Sequence, residues 1–146
     1  MQRKSLNIQS IYHNYKIIPL FLCIALLIDY SLTFHFAGSS ENILKYEFSP
    51  LLVYALENDF VIPYMLITAS FYYFAAYAVL GLLHGNEVYP IGVAVILLMS
   101  ITHVLGGLSW YVLKETYSSA VLTLSLISVI MTITLFAYEV IRSGNR

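Results

Sequence analysis

The charged side chains of this chain are confined to a few narrow places, and the stretches between them fix the class of fold. Between 17 and 40 the one formally charged residue is Asp29, and 60–86, 88–113 and 116–138 carry none. Each stretch meets the roughly 20 apolar residues that a helix needs to cross a hydrocarbon core of about 30 Å. Hydrocarbon offers no partner to backbone N–H and C=O groups, so such runs fold as helices with internal backbone bonds. Composition agrees: 10% of residues are charged, against about 25% in soluble domains. The expected fold is all-α, a polytopic membrane four-helix bundle. Its spans cover about 17–37, 60–83, 90–113 and 117–141, within one membrane domain over 17–142.

Residues 1–16 read as a tail ending at a headgroup boundary, where Tyr12, Tyr15 and Lys16 anchor. Ile17 to Ile28 resembles a signal h-region, but the apolar character continues through Phe36 with no A-x-A site, so a retained first span is expected. Residues 143–146 read as a polar tail. Gly38-Ser39-Ser40 ends the first span. The connection over 41–59 holds Glu41, Lys45, Glu47, Glu57 and Asp59. Inside it, Ser49 is placed to cap a helix with Pro50 at its first position. The apolar run up to Glu57 then predicts one short interfacial or re-entrant helix. His84 to Glu87 and Lys114 to Thr116 form the remaining turns.

Four spans put both termini on one side, with Arg3, Lys4, Lys16, Arg142 and Arg146 against Lys45 and Lys114 on the other. The positive-inside rule predicts a multi-pass cell-membrane protein with both termini cytoplasmic. Trp110, Tyr111, Tyr64 and Tyr117 then read as the outer aromatic belt. The net charge of −1 and the lack of a basic patch give no support for nucleic-acid binding. The single cysteine, Cys23, excludes an internal disulfide and reads as a small packing residue.

Asp29 is the anomaly. A central carboxylate costs about 2.5–3.5 kcal/mol on insertion scales, so it needs partners or water. It lies thirteen residues past Lys16, and His103 lies thirteen past Pro90. At about 1.5 Å per residue both sit about 20 Å from the same boundary. Thr68 and Tyr72 of the second span, and Ser125 and Ser128 of the fourth, fall at similar depth. Thr33 shares the face of Asp29, and Ser100 and Gly107 share that of His103. Ser118, Ser125, Thr132 and Glu139 recur every seventh residue as a polar stripe, which helix packing alone also explains. The expected binding set is Asp29, Thr33, Glu47, Thr68, Tyr72, Ser100, His103, Ser125 and Ser128, with Glu47 at the rim.

Asp29, Glu47 and His103 are the weak metal candidates, but no H-E-x-x-H or similar spacing supports them, and neither metal nor cofactor is expected. His84 lies about 20 Å from His103 by helical rise, which argues against a bis-histidine haem. His35, about 9 Å beyond Asp29 on its helix, is placed to join Glu47. Ser125 or Ser128 with His103 and Asp29 has the residue types of a hydrolytic triad, without a nucleophile elbow. Gly106-Gly107 reads as close packing or a kink. His84, Glu87, Glu139 and Arg142 read as a solvated boundary.

The sequence D-x-x-x-T, then a glycine, then E-x-S-P before an apolar segment resembles the DUF5658 family of small prokaryotic membrane proteins. The matching residues are Asp29, Thr33, Gly38, Glu47 and Pro50. Ser49 stands where that family has Asn, and the interval from Gly38 to Glu47 is longer than its pattern. The resemblance implies a polar site shared by the first span and the following loop, and it implies no reaction. Three readings of function follow. The first is an outward-facing pocket around Asp29 and His103 that binds a small molecule, lipid headgroup or ion. The second is a membrane-embedded hydrolase or transferase using Asp29 and His103, with Glu47, as acid and base. The third is an assembly subunit, whose partners beyond the lipid bilayer are copies of itself or another membrane chain.

Overall fold

The computed structural model describes Tyr12 and residues 14–144, so most of the expected N-terminal tail and Asn145 and Arg146 lie outside the described residues. Among the described residues there are six helices and no strand. They are α1 (Ile18–Ala37), α2 (Ser40–Tyr46), α3 (Pro50–Glu57), α4 (Val61–Leu83), α5 (Tyr89–Val112) and α6 (Glu115–Gly144). Four of them, α1, α4, α5 and α6, are long and apolar enough to cross a membrane.

The connection after the first span holds two short helices where one is expected. Gly38 ends α1 in the left-handed region at φ 71°, a conformation that costs glycine little. Ser39 then caps α2, its side chain accepting from the Asn42 N–H at 3.2 Å. Asn42 donates its own amide to the Ala37 carbonyl at 2.8 Å, satisfying an orphan acceptor of the helix before it. With only seven residues, α2 is too short for periodicity to reveal, and its polar start reads as loop. The expected helix follows as α3: Ser49 accepts from Leu52 N–H at 3.3 Å and Pro50 takes the first turn. At the other end of the chain, Ser143 and Gly144 continue α6, and the Ser143 hydroxyl bonds the Glu139 carbonyl.

The most enclosed span is α5, 44% buried against 11% for α6, which makes α5 the element on which the others assemble. It packs on α1, α6 and α4, while α4 also meets α1 and α6. An apolar cluster near the start of α1 joins Ile18, Leu22, Leu80, Leu83, Val93 and Ile96. A second, toward α2 and α3, joins Leu26, Tyr30, Ile43 and Leu52.

Gly107 sets the distance between α1 and α5. A Cβ there would stand 2.8 Å from the Asp29 carbonyl oxygen and 2.8 Å from Leu32 Cβ. The two backbones approach as closely as a missing side chain permits, the usual role of small residues between membrane helices. At Gly106 the nearest atoms to a Cβ are the Asp29 carboxylate oxygens at 3.5 Å, ordinary contact. Gly107→Ala is therefore expected to cost about 1–3 kcal/mol through overpacking, while Gly106→Ala is tolerated. Thermal unfolding of both variants in detergent checks this, and equal losses would contradict it.

Candidate functional site

Asp29 occupies the middle of α1 and His103 that of α5, and the Gly107 crossing brings them together. His103 Nδ1 lies 2.9 Å from Asp29 Oδ2, with the two side chains 17% and 20% exposed. With the carboxylate as acceptor, the Nδ1–H donates, which leaves Nε2 as the ring's second functional nitrogen. The Tyr72 ring meets the imidazole edge-on, 5.2 Å between centroids. Equal helical rise from two separate boundaries thus ends in direct contact.

Two cavities share this pair. The larger, about 600 Å³, lies against α5 between α1 and α6. Asp29, Thr33, His103 and Ser125 line it, together with Ser109, Trp110 and Ser118. The smaller, about 220 Å³, lies between α1, α3, α4 and α5, lined by Thr68 and Tyr72 with Tyr30 and Tyr64. Asp29, Thr33, Glu47, Ser49 and His103 belong to both linings. The α2–α3 junction therefore covers both spaces, and the Asp29–His103 contact stands between them. Asp29, Thr33 and Glu47 face both cavities, and Pro50 opens α3 beside them.

Glu47 is held in place locally. Its backbone N–H bonds the Ile43 carbonyl at the end of α2, and its Oε1 accepts from Ser49 N–H at 2.9 Å. Burial raises the pKa of this carboxyl above the ordinary value, and the nearby Asp29 charge adds to the effect. Hydrogen bonds from the Ser49 and Phe48 backbone and from the Trp110 side chain oppose it.

Ser100 and Ser128 do not reach either cavity. Ser100 is buried and donates to Ile96 O at 2.9 Å, and Ser128 is fully buried and donates to Ser125 O at 2.8 Å. Each hydroxyl is consumed by its own helix, the usual fate of serine in a membrane helix. His35 is exposed and packs on Phe36, so it does not join Glu47. His84 packs between Tyr15 and Tyr89, at centroid distances of 5.0 and 5.4 Å. Cys23 is half-buried, its thiol directed at Ala69 O, 3.3 Å away. Glu139, expected at a solvated boundary, is only 6% exposed and accepts from Asn86 Nδ2 at 2.8 Å. Arg142 lies 3.9 Å from its other oxygen.

Trp110 is the main addition. Expected in an aromatic belt, it also lines the larger cavity beside Glu47. The signal was present, because Gly106 and Trp110 follow His103 by three and seven residues and so share its helical face. Among the described residues no three His, Cys, Asp or Glu side chains converge to hold a metal, so Asp29, Glu47 and His103 do not form a metal-ligand set.

Comparison with family models, curated proteins and solved structures returns no match to this chain.

Two outcomes follow from this geometry. A double-mutant cycle on Asp29→Asn and His103→Gln, read by thermal unfolding, is expected to give a coupling energy of about 0.5–3 kcal/mol, and additivity would remove the contact's energetic role. Glu47 supplies a pH test. Its carboxyl holds its proton longer in the folded chain, so its contribution is fully present below the unfolded pKa and is lost as pH rises through the raised folded value. Between the ordinary value of 4.5 and that raised value, stability falls with rising pH. Glu47→Gln is expected to flatten this part of the profile, and an unchanged slope would show that another group carries it.

Proposed function

We propose that this chain is a multi-pass cell-membrane protein with cytoplasmic termini and an outward-facing binding pocket built on Asp29 and His103. The orientation rests on the basic residues of the two tails against only Lys45 and Lys114 on the opposite side. The observation that carries the reading is the 2.9 Å Asp29–His103 contact in the wall of a cavity of about 600 Å³. A costly intramembrane carboxylate is held next to open, partly polar space rather than against lipid. That volume falls within the about 300–1,000 Å³ usual for small-molecule pockets. A small molecule, a lipid headgroup or an ion is the class of ligand. The DUF5658 resemblance belongs to the same proposal, since its acidic residues line the pocket. An assembly role resting on Asp29 is less favoured, because His103 of the same chain already engages the carboxylate.

One observation favours a catalytic version. Asp29 holds Nδ1 of His103, as a carboxylate orients an imidazole in acid–base catalysis, and Ser109, Ser118 and Ser125 line the same cavity. A serine nucleophile there would react with a fluorophosphonate and lose that reactivity in His103→Gln. Absence of labelling in the wild type removes the serine version and leaves the binding reading.

Access is tested by cysteine labelling in a Cys23→Ser background. Ser118→Cys and Ser125→Cys are expected to react with a membrane-impermeant methanethiosulfonate applied to the outer face, and the fully buried Ser128→Cys is not. Reaction of Ser118→Cys and Ser125→Cys from the cytoplasmic face alone overturns the orientation. Failure of both to react from either face overturns the open pocket.

A further inference from the structure

We propose that the larger cavity selects an organic ammonium group carried on an apolar body. This rests on the outward-facing pocket described above and adds the chemistry of its ligand.

The charges that face the space come from three elements. The α1 helix contributes Asp29, the α2–α3 junction Glu47, and the stretch from the end of α5 into α6 contributes Lys114 and Glu115. Lys114 and Glu115 are exposed neighbours at the rim and offset each other. Lys45, next to the cavity-lining Tyr46, sits over that ring at 5.0 Å from its centroid, and is exposed. Deeper in, Asp29 has His103, while Glu47 is half-buried and forms no ion pair among the described residues. An anion entering would meet two carboxylates, whereas a cation would supply Glu47 with a counter-charge.

The uncharged lining separates kinds of cation. A bare divalent ion needs six or so convergent oxygens, and no three His, Cys, Asp or Glu side chains converge among the described residues. Trp110 and Phe48 line the space beside Glu47, and aromatic faces attract weakly hydrated ammonium groups. Val121 and Leu122 of α6 add apolar lining, suited to the rest of an amphiphile. The ammonium can come from an amine-bearing lipid headgroup or from a dissolved amine, and recognition is the same for both.

The test uses the full chain with Cys23→Ser and Ser125→Cys in phosphatidylglycerol vesicles. Ser40→Cys, exposed at the start of α2, serves as the reference outside the cavity. Rates are compared for the trimethylammonium-ethyl and sulfonate-ethyl methanethiosulfonates. Relative to Ser40→Cys, the cationic reagent is expected to be favoured at Ser125→Cys by about tenfold or more, as for a charge-lined cleft. Glu47→Gln is expected to remove most of that preference. Equal relative rates overturn the ammonium proposal while leaving the pocket intact, and no labelling by either reagent overturns the pocket itself. Dissolved choline or ethanolamine that slows labelling assigns a free amine. Slowing only by phosphatidylethanolamine built into the bilayer assigns a headgroup, and slowing by neither overturns the proposal.

Discussion

A carboxylate placed in hydrocarbon must find a partner, and here the partner is within reach because two helix backbones nearly touch. Gly107 removes the side chain that would hold α1 and α5 apart, and the closeness it permits delivers the Asp29 carboxylate to His103 at 2.9 Å. The dependence runs in sequence. Helix packing comes first, the polar contact is its product, and the two cavities take their common wall from that contact. A membrane helix pair gains little from the hydrophobic effect, since lipid tails are as apolar as leucine, so close van der Waals fit has to hold the seam.

The α2–α3 junction closes the arrangement by short-range means. Two serine caps, one left-handed glycine and one proline fix the path of the chain between 38 and 50. The same few residues leave Glu47 pointing where both cavities meet, so loop geometry and site geometry are one problem solved locally. Such caps are worth about 0.5–2 kcal/mol each. Ile43 and Leu52 add apolar anchoring, buried with Leu26 and Tyr30 of α1.

Much of this was legible in the sequence, and the reason differs from element to element. The four long helices follow from charge-free runs, because hydrocarbon leaves the backbone no alternative. Equal rise along two helices puts Asp29 and His103 at one depth, and the close α1–α5 approach at Gly107 turns shared depth into contact. The short α2 does not follow, because seven polar-leading residues hold no periodic signal. Ser100 and Ser128 face the expected cavity only when facing is inferred from their own helix. Burial by neighbours decides whether a hydroxyl reaches open space, and one chain read alone does not display those neighbours. Residue type places Trp110 in a belt, and its spacing from His103 also places it on the cavity face.

That tryptophan has a consequence of a different kind. It is the single Trp in the chain, and it lines the larger cavity within reach of Glu47. Indole emission from the native protein therefore reports one location only. A change in polarity or in nearby charge at the Asp29 wall shifts the spectrum without any introduced dye. The chain carries its own optical gauge, set in the wall of the larger cavity.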